Sequence, residues 1–484
     1  KTFRTNIWLE LRNGLVFHHN DAKRLFREIM RIIVALFAGL VPISAVASSS
    51  SGVTNLGVTD SLPGLICLVI FVVAYGFVMV EEFIHLPKSK PVIFAAGLIW
   101  ILVAFLSSQH SEDSTELRNI LQHNLVEYAS LFLFLLVAMT YINAMSERNV
   151  FQGLRAWLVS RGFSYRKLFW ITGFIAFFLS PIADNLTTAL LMGAVVLSVG
   201  SGSRVFVTLG CINIVVAANA GGAFSPFGDI TTLMVWQSGH ASFFEFFALF
   251  VPSLVNYVIP ASIMHFAVPR EKPPPIEQRV QLKRGAFIVC GLFMCTIGTA
   301  VSFEQFLHLP PFLGMMFGLS YLAFYSYYVK KTSPAGHEDL HRFDLFSRVA
   351  QAEWDTLFFF FGVIFCVGGL GHIGYLEIVS VSLYDGWGAT NANITMGVIS
   401  AIVDNIPVMF AILTMNPEMD IYQWLLITLT TGVGGSLLSI GSAAGVALMG
   451  QASGVYTFFS HLKWSWAIAL GYAASIYVHY LVNG

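Results

Sequence analysis

Charge is what this sequence has least of. Asp, Glu, Lys and Arg together make up 11% of its 484 residues, against about 25% in soluble domains. Most of its surface is therefore not built to face water. The two signs nearly cancel, at a net charge of −1, and no basic block marks a nucleic-acid surface. Cysteine is sparse as well: Cys67, Cys211, Cys290, Cys295 and Cys366 fall singly inside apolar runs. That spacing excludes a zinc or disulfide framework and suits small buried hydrophobes. No nucleotide-binding glycine loop or Walker motif occurs, which argues against ATP coupling within the chain. The 13 histidines form no metal constellation, and His123, His372 and His461 read as interfacial. Nothing here calls for an enzyme or a cofactor.

Apolar sequence takes the place of charge. The chain is 56% hydrophobic, and runs of about 20 residues, each long enough to cross a bilayer, recur almost end to end. Lipid is the implied surroundings. At the start, Met30-Arg31, an apolar stretch over 32–41 and Ala45-Val46-Ala47 before a serine run read as a secretory signal peptide. An extra first helix is the alternative, and residues 1–60 stand apart as an N-terminal tract. Two matching sets of spans follow, 61–267 and 286–484, joined by a Pro-rich linker at 268–285. The spacing predicts an all-α polytopic membrane protein. Each half holds five spans plus one broken stretch, 168–200 in the first and 392–416 in the second.

The loops decide how the broken stretches run. If each is a re-entrant hairpin, Lys88, Lys90, Arg148, Arg155, Arg161, Arg166 and Lys167 share one side of the membrane. So do Arg270, Lys272, Arg279, Lys283, Arg284, Lys330, Lys331, Arg342 and Arg348. After residue 60 the other side keeps only Arg118. The positive-inside rule makes the crowded side cytoplasmic. The first half then begins outside and the second inside. The repeats are inverted, an arrangement that places a transport site near the bilayer midplane between broken helices.

The hairpins turn at Ser180-Pro181-Ile182-Ala183-Asp184-Asn185 and Ser400-Ala401-Ile402-Val403-Asp404-Asn405, sharing the core S-x-x-x-D-N. Pro181 and Pro407 are expected to break regular helix there and free backbone groups. A carboxylate near the bilayer centre costs about 2.5–3.5 kcal/mol on insertion scales. No Lys or Arg lies in either hairpin's apolar stretch, so ion pairing within the hairpin does not account for Asp184 and Asp404. Asp supplies a hard oxygen ligand and Asn a neutral amide. The next span of each half carries a Gly/Ser-rich interruption, NAGGAFSPFGD from Asn219 to Asp229 and GVGGSLLSIGS from Gly432 to Ser442. Glycines there permit an unwound backbone that a ligand can approach closely, with close helix packing through small residues as the alternative. Asp229 breaks their symmetry, since Ser442 stands at its counterpart, and Thr231 and Thr232 follow it. Glu127 and Asp355 open the third span of each half, where interfacial and functional readings are balanced.

SPIADNLTTALLMGAVV, NAGGAFSPFGDITTLMVW, EWDTLFFFFGV and SAIVDNIPVMFAIL, in that order, resemble the NhaD sodium/proton antiporters of the ion transporter superfamily. The resemblance runs from about residue 62 to the C-terminus. It implies a bacterial inner-membrane homodimer exchanging Na+ or Li+ for H+, with a scaffold domain and a mobile transport domain carrying the hairpins. It assigns function to Asp184, Asn185, Asn219, Asp229, Thr231, Thr232, Ser400, Asp404, Asn405, Ser439 and Ser442, with Asp184, Asp229 and Asp404 toward the cation. Glu127 and Asp355 fit the family's additional acids. Two rivals stand beside it: a sodium-coupled anion or dicarboxylate transporter of the same superfamily, and a channel or non-transporting scaffold. Acids at both hairpin tips weigh against an anion.

Overall fold

The computed structural model describes residues 56–79, 81–84, 86–109, 114–200, 202–273, 280–332 and 343–484. The expected signal peptide or extra helix at 30–47 lies outside the described residues, as do Arg279 and Arg342. Among the described residues every regular element is helical, as hydrocarbon surroundings require of backbone that cannot bond to water. Ten of these helices are long and apolar enough to cross a membrane.

Leu62–Met79 (α1), Ser89–Gln109 (α2) and Ser114–Glu147 (α3) come first. After the shorter Val150–Ser160 (α4), Tyr165–Ala183 (α5) and Asn185–Val199 (α6) are separated by Asp184 alone. Arg204–Gly222 (α7) and Ile230–Gln237 (α8) are pieces of one interrupted span, and Phe250–His265 (α9) follows. The second half runs through Ala286–Leu307 (α10), Pro311–Thr332 (α11), Leu345–Val349 (α12) and Trp354–Ile373 (α13). Tyr375–Ser380 (α14), Ala389–Ile399 (α15) and Asn405–Met415 (α16) come next, then Ile421–Gly434 (α17), Ala443–Gln451 (α18) and Ser465–Asn483 (α19). The span expected at 421–452 is thus split into pieces of 14 and 9 residues.

Both broken stretches fold back on themselves. At the open end of the first, the Tyr165 ring lies 4.4 Å from the Phe206 ring, centroid to centroid, bringing the starts of α5 and α7 together. At the open end of the second, Gln423 Nε2 donates to Thr390 Oγ1 at 2.8 Å. The first break falls on Asp184 itself, at φ 58 and ψ 162, a region nearly restricted to glycine that costs about 1–3 kcal/mol. Its carboxylate offsets this by accepting the Thr187 amide at 2.7 Å and hydroxyl at 2.8 Å. The prolines are not the break points. Pro407 sits in the first turn of α16, where an amide has no helical acceptor to lose, and Pro181 lies inside the last turn of α5, where it removes one helical hydrogen bond without ending the helix.

The basic loops gather on one face. The Tyr165 amide donates to the Glu271 carbonyl at 3.0 Å and the Lys283 amide to the Arg148 carbonyl at 3.1 Å. Asn143 Nδ2 donates to the Arg348 carbonyl at 3.2 Å. Elsewhere, the Leu56 amide reaches the His372 carbonyl at 2.8 Å, and Asn483 Nδ2 reaches the Ala248 carbonyl at 3.1 Å. Packing crosses between the halves in matched pairs: α2 lies on α13, while α10 and α11 lie on α3. Likewise α6 meets α18 and α8 meets α16, and α9 packs along α19. Cys67, Cys211 and Cys366 are buried as expected, but Cys295 is exposed on α10.

Two glycines are forced by this packing. A Cβ on Gly221 would strike the Phe177 carbonyl oxygen, and one on Gly434 the Gly397 carbonyl oxygen. Gly221→Ala and Gly434→Ala should each destabilise the fold by about 1–3 kcal/mol, read as a lower thermal-unfolding midpoint in detergent. Gly97→Ala, whose Cβ meets nothing within 4 Å, should leave the midpoint unchanged or raise it.

Candidate functional site

Asp229 caps the start of α8, where its Oδ1 accepts the Thr231 amide at 3.2 Å. Its Oδ2 accepts two side-chain amides. Asn185 Nδ2 donates from the first residue of α6 at 3.1 Å, and Asn405 Nδ2 from the first residue of α16 at 3.0 Å. The tips of both hairpins therefore converge on one carboxylate. Asp229 is only 4% exposed, and a charge so placed needs donors of this kind to persist. Asn185 also donates to Asn219 Oδ1 at 3.1 Å, and Asn219 Nδ2 donates to Ser436 Oγ at 2.8 Å and Ser442 Oγ at 2.9 Å. One buried chain of amides and hydroxyls joins both hairpins to both interrupted spans.

The backbone around this chain repeats itself. Asp229 caps α8 at φ −146 and ψ 150, and Ser442 caps α18 at φ −146 and ψ 149. Ser180 Oγ donates to the Ala218 carbonyl at 2.6 Å, and Ser400 Oγ to the Thr431 carbonyl at 3.0 Å. These acceptors stand at matching places, four residues before Gly222 and Gly435. Ser400 is thus an anchor for backbone. So is Thr232, whose hydroxyl donates to the Ser225 carbonyl at 2.8 Å. Other oxygens are uncommitted: Thr188 Oγ1, Thr231 Oγ1, Ser439 Oγ and Asp404 Oδ1 are buried without a hydrogen-bond partner. A buried polar atom in that condition costs about 1–3 kcal/mol, and a hard cation is one way to satisfy it.

Asp184 and Asp404 turn away from the junction, in different ways. Asp184 is held by Thr187 of its own helix. Asp404 lies 3.9 Å from Lys88 Nζ. This corrects the expectation of an uncompensated acid at each tip. The counter-charge comes from the loop before α2, where proximity in sequence gives no hint of it. A partly open cavity is lined by Lys88, Asp184, Asn185, Asp229, Glu353 and Asn405. Glu353 and Thr356, at the start of α13 on the basic face, also wall it. Asp355 lies close by, accepting a hydrogen bond from the Ser89 hydroxyl.

Glu127 is not brought to this cavity. It is 41% exposed and pairs with His123 at 3.2 Å, about 10 Å along α3 from the cavity residue Phe134. Two histidines also depart from the interfacial reading: His372 and His461 are buried. His461 Nε2 lies 2.8 Å from the Ser436 carbonyl oxygen, with the Tyr456 hydroxyl 2.7 Å from Nδ1. It braces the interrupted span of the second half, whose Ser436 hydroxyl accepts from Asn219.

The citrate transporter family model matches residues 26–432. A Na(+)/H(+) antiporter NhaD of Alkalimonas amylolytica is 59% identical over 448 residues, covering 88% of this chain and 92% of that protein. The Na(+)/H(+) antiporter NhaD of Vibrio cholerae serotype O1 is 56% identical over 476 residues, covering 94% of this chain and 98% of its own length. The chain belongs to the NhaD family. A further relative, sodium/proton antiporter 1 of Arabidopsis thaliana, is 30% identical over 435 residues, or 86% of this chain and 72% of that one. With its ten apolar helices, this NhaD-family chain is a multi-pass membrane protein.

In this NhaD-family chain three of the four quoted motifs supply the buried network, and EWDT sits beside the cavity. Lys88, Glu353, Ser436 and His461 were not singled out as site residues by the sequence. Ser436 lies within the quoted glycine-rich interruption, so its place in that motif was the available signal. Replacing Asn219 with Ala removes the link between Asn185 and the two serines. Asn219→Ala should therefore cost about 1–3 kcal/mol, seen as a lowered unfolding midpoint. Ser436→Ala, which removes one acceptor at the edge, should cost less.

Proposed function

We propose that the chain exchanges Na+ or Li+ for H+ across the bacterial inner membrane, with cation and protons competing for Asp184, Asp229 and Asp404. The convergence of Asn185 and Asn405 on Asp229 carries this reading. It places neutral oxygen-bearing amides from both hairpins around a buried acid. Both amides point their NH2 groups at the carboxylate, an orientation assigned by the hydrogen-bond network. Turned over, each offers a carbonyl oxygen to a cation beside Asp229. Thr231 Oγ1, Ser439 Oγ and Asp404 Oδ1, with Thr232, Ser442 and freed backbone carbonyls, complete the oxygen-rich surroundings.

The cavity at the basic face admits Na+ from the cytoplasm in this reading. Na+ displaces protons, the loaded unit moves, and the cation leaves on the other side before the protonated unit returns. The halves act as inverted repeats, 61–267 and 286–484, with α5–α9 and α15–α19 as transport domain and the remaining long helices as scaffold. A homodimer through that scaffold follows the family pattern. The match to the citrate transporter model raises the anion alternative again. Among the described residues the carboxylates of Asp184, Asp229 and Glu353 share the cavity lining with one ammonium, that of Lys88, which pairs with a fourth carboxylate, Asp404. An excess of negative charge repels a di- or tricarboxylate, so the cation reading is preferred.

Everted vesicles carrying the protein and a fluorescent ΔpH reporter test the exchange. Adding Na+ should collapse the proton gradient, while citrate or a dicarboxylate alone should not. Asp184→Asn and Asp229→Asn should abolish the response with folding intact, and a normal response in either would overturn the site. Because protons compete with the cation, the apparent KM for Na+ should rise as pH falls, by about tenfold per pH unit where one proton competes.

A further inference from the structure

Among the described residues lining the cavity, Lys88 is the one charged group whose sign matches the transported cation. Its ammonium lies 3.9 Å from Asp404 Oδ2, and both side chains are about one-seventh exposed, 13% and 14%. The same ammonium stands 4.5 Å above the Phe359 ring centroid, an apolar shelf that holds a cation without binding it by hydrogen bonds. A pair built for stability would be short and would satisfy both carboxylate oxygens. This one is long, and Asp404 Oδ1 stays without a donor. Asp404 does not cap its own helix, whereas Asp184 does. One tip carboxylate is thus committed locally, and the other waits on a group from elsewhere in the chain.

The pair also joins elements far apart in the chain. Lys88 belongs to the loop between α1 and α2, which pack on each other and, through α2, on α13. Asp404 belongs to the tip of the second hairpin, whose second arm packs against α8 and α17 as well as on α13. The other groups around Lys88 are acidic: Glu353 across the cavity, Glu81, which feels the charges of Lys88 and Asp355, and Asp355, bonded to Ser89 next to Lys88. No second cation offers Asp404 an alternative within salt-bridge distance among the described residues.

We propose that Lys88 is a tethered cation: it competes with Na+ for Asp404 and, while paired, ties the empty transport unit to the scaffold loop. This rests on the antiport reading above and adds a positioning residue to it. An antiporter conserves coupling only if its empty carrier stays put. An ammonium fixed to the scaffold neutralises Asp404 just where the unit would otherwise slip across unloaded. Arrival of Na+ at Asp404 replaces one monocation by another and frees the unit to move. A tethered competitor acts at a high effective concentration, so its loss tightens apparent Na+ binding.

The test uses the full chain in proteoliposomes, with radiosodium flux and proton movement recorded together. Lys88→Met should lower the apparent KM for Na+ by about three- to tenfold and reduce the protons moved per Na+. Lys88→Arg, which restores the charge, should return both toward the parent values. An unchanged or raised KM in Lys88→Met overturns the proposal, as does a Lys88→Arg variant that behaves like Lys88→Met. Equilibrium radiosodium binding to detergent-purified Lys88→Met and Lys88→Gln decides the matter where turnover is lost: tighter binding supports the tethered cation, and equal or weaker binding overturns it. A parent protein that binds Na+ but moves no protons contradicts the antiport reading instead, while the binding comparison still judges Lys88.

Discussion

A carboxylate deep in an apolar bundle must find donors, and Asp229 finds them on two hairpins that come from different halves of the chain. Asn185 and Asn405 share its Oδ2, and the interrupted spans lock in behind through Asn219, Ser436 and Ser442. The glycines let the pieces approach closely enough. Gly221 and Gly434 each lie against a carbonyl oxygen of the hairpin they face, while Ser180 and Ser400 fasten the opposing backbones. Without this convergence the hairpin tips would bring unpaired polar groups into hydrocarbon, at several kcal/mol each.

The two interrupted spans agree in backbone at their caps and differ in charge. Asp229 and Ser442 share the same dihedral angles to within a degree of ψ, so one local turn carries an acid in the first half and a serine in the second. The first half supplies the central acid and a tip Asp absorbed by its own helix. The second supplies a serine cap and a tip Asp turned toward Lys88.

Much of this was legible in the sequence because it is written in local patterns. Apolar runs of fixed length, paired S-x-x-x-D-N cores and the crowding of Lys and Arg on alternate loops are all short-range signals. The folded-back stretches and the gathering of the basic loops follow from them. Interactions joining remote residues left no such trace. Lys88 counted only as one more basic residue in a loop, and nothing in its neighbours Pro87 and Ser89 indicates that it reaches Asp404. His461 looked interfacial from its place near the start of a span, but Tyr456 and the Ser436 carbonyl give it buried partners. Glu127 matched Asp355 by position along its span and not in space, because α3 extends for 34 residues and carries Glu127 past the cavity.

Everything above turns on whether the two asparagines act through one carboxylate. A double-mutant cycle decides it: unfolding free energies of the parent, Asn185→Ala, Asn405→Ala and the double variant in detergent. If both serve Asp229, losses in stability are not additive, with a coupling of about 0.5–3 kcal/mol, and the coupling vanishes when Asp229 is replaced by Asn. Additive losses, or a coupling that survives Asp229→Asn, would contradict a shared junction at Asp229.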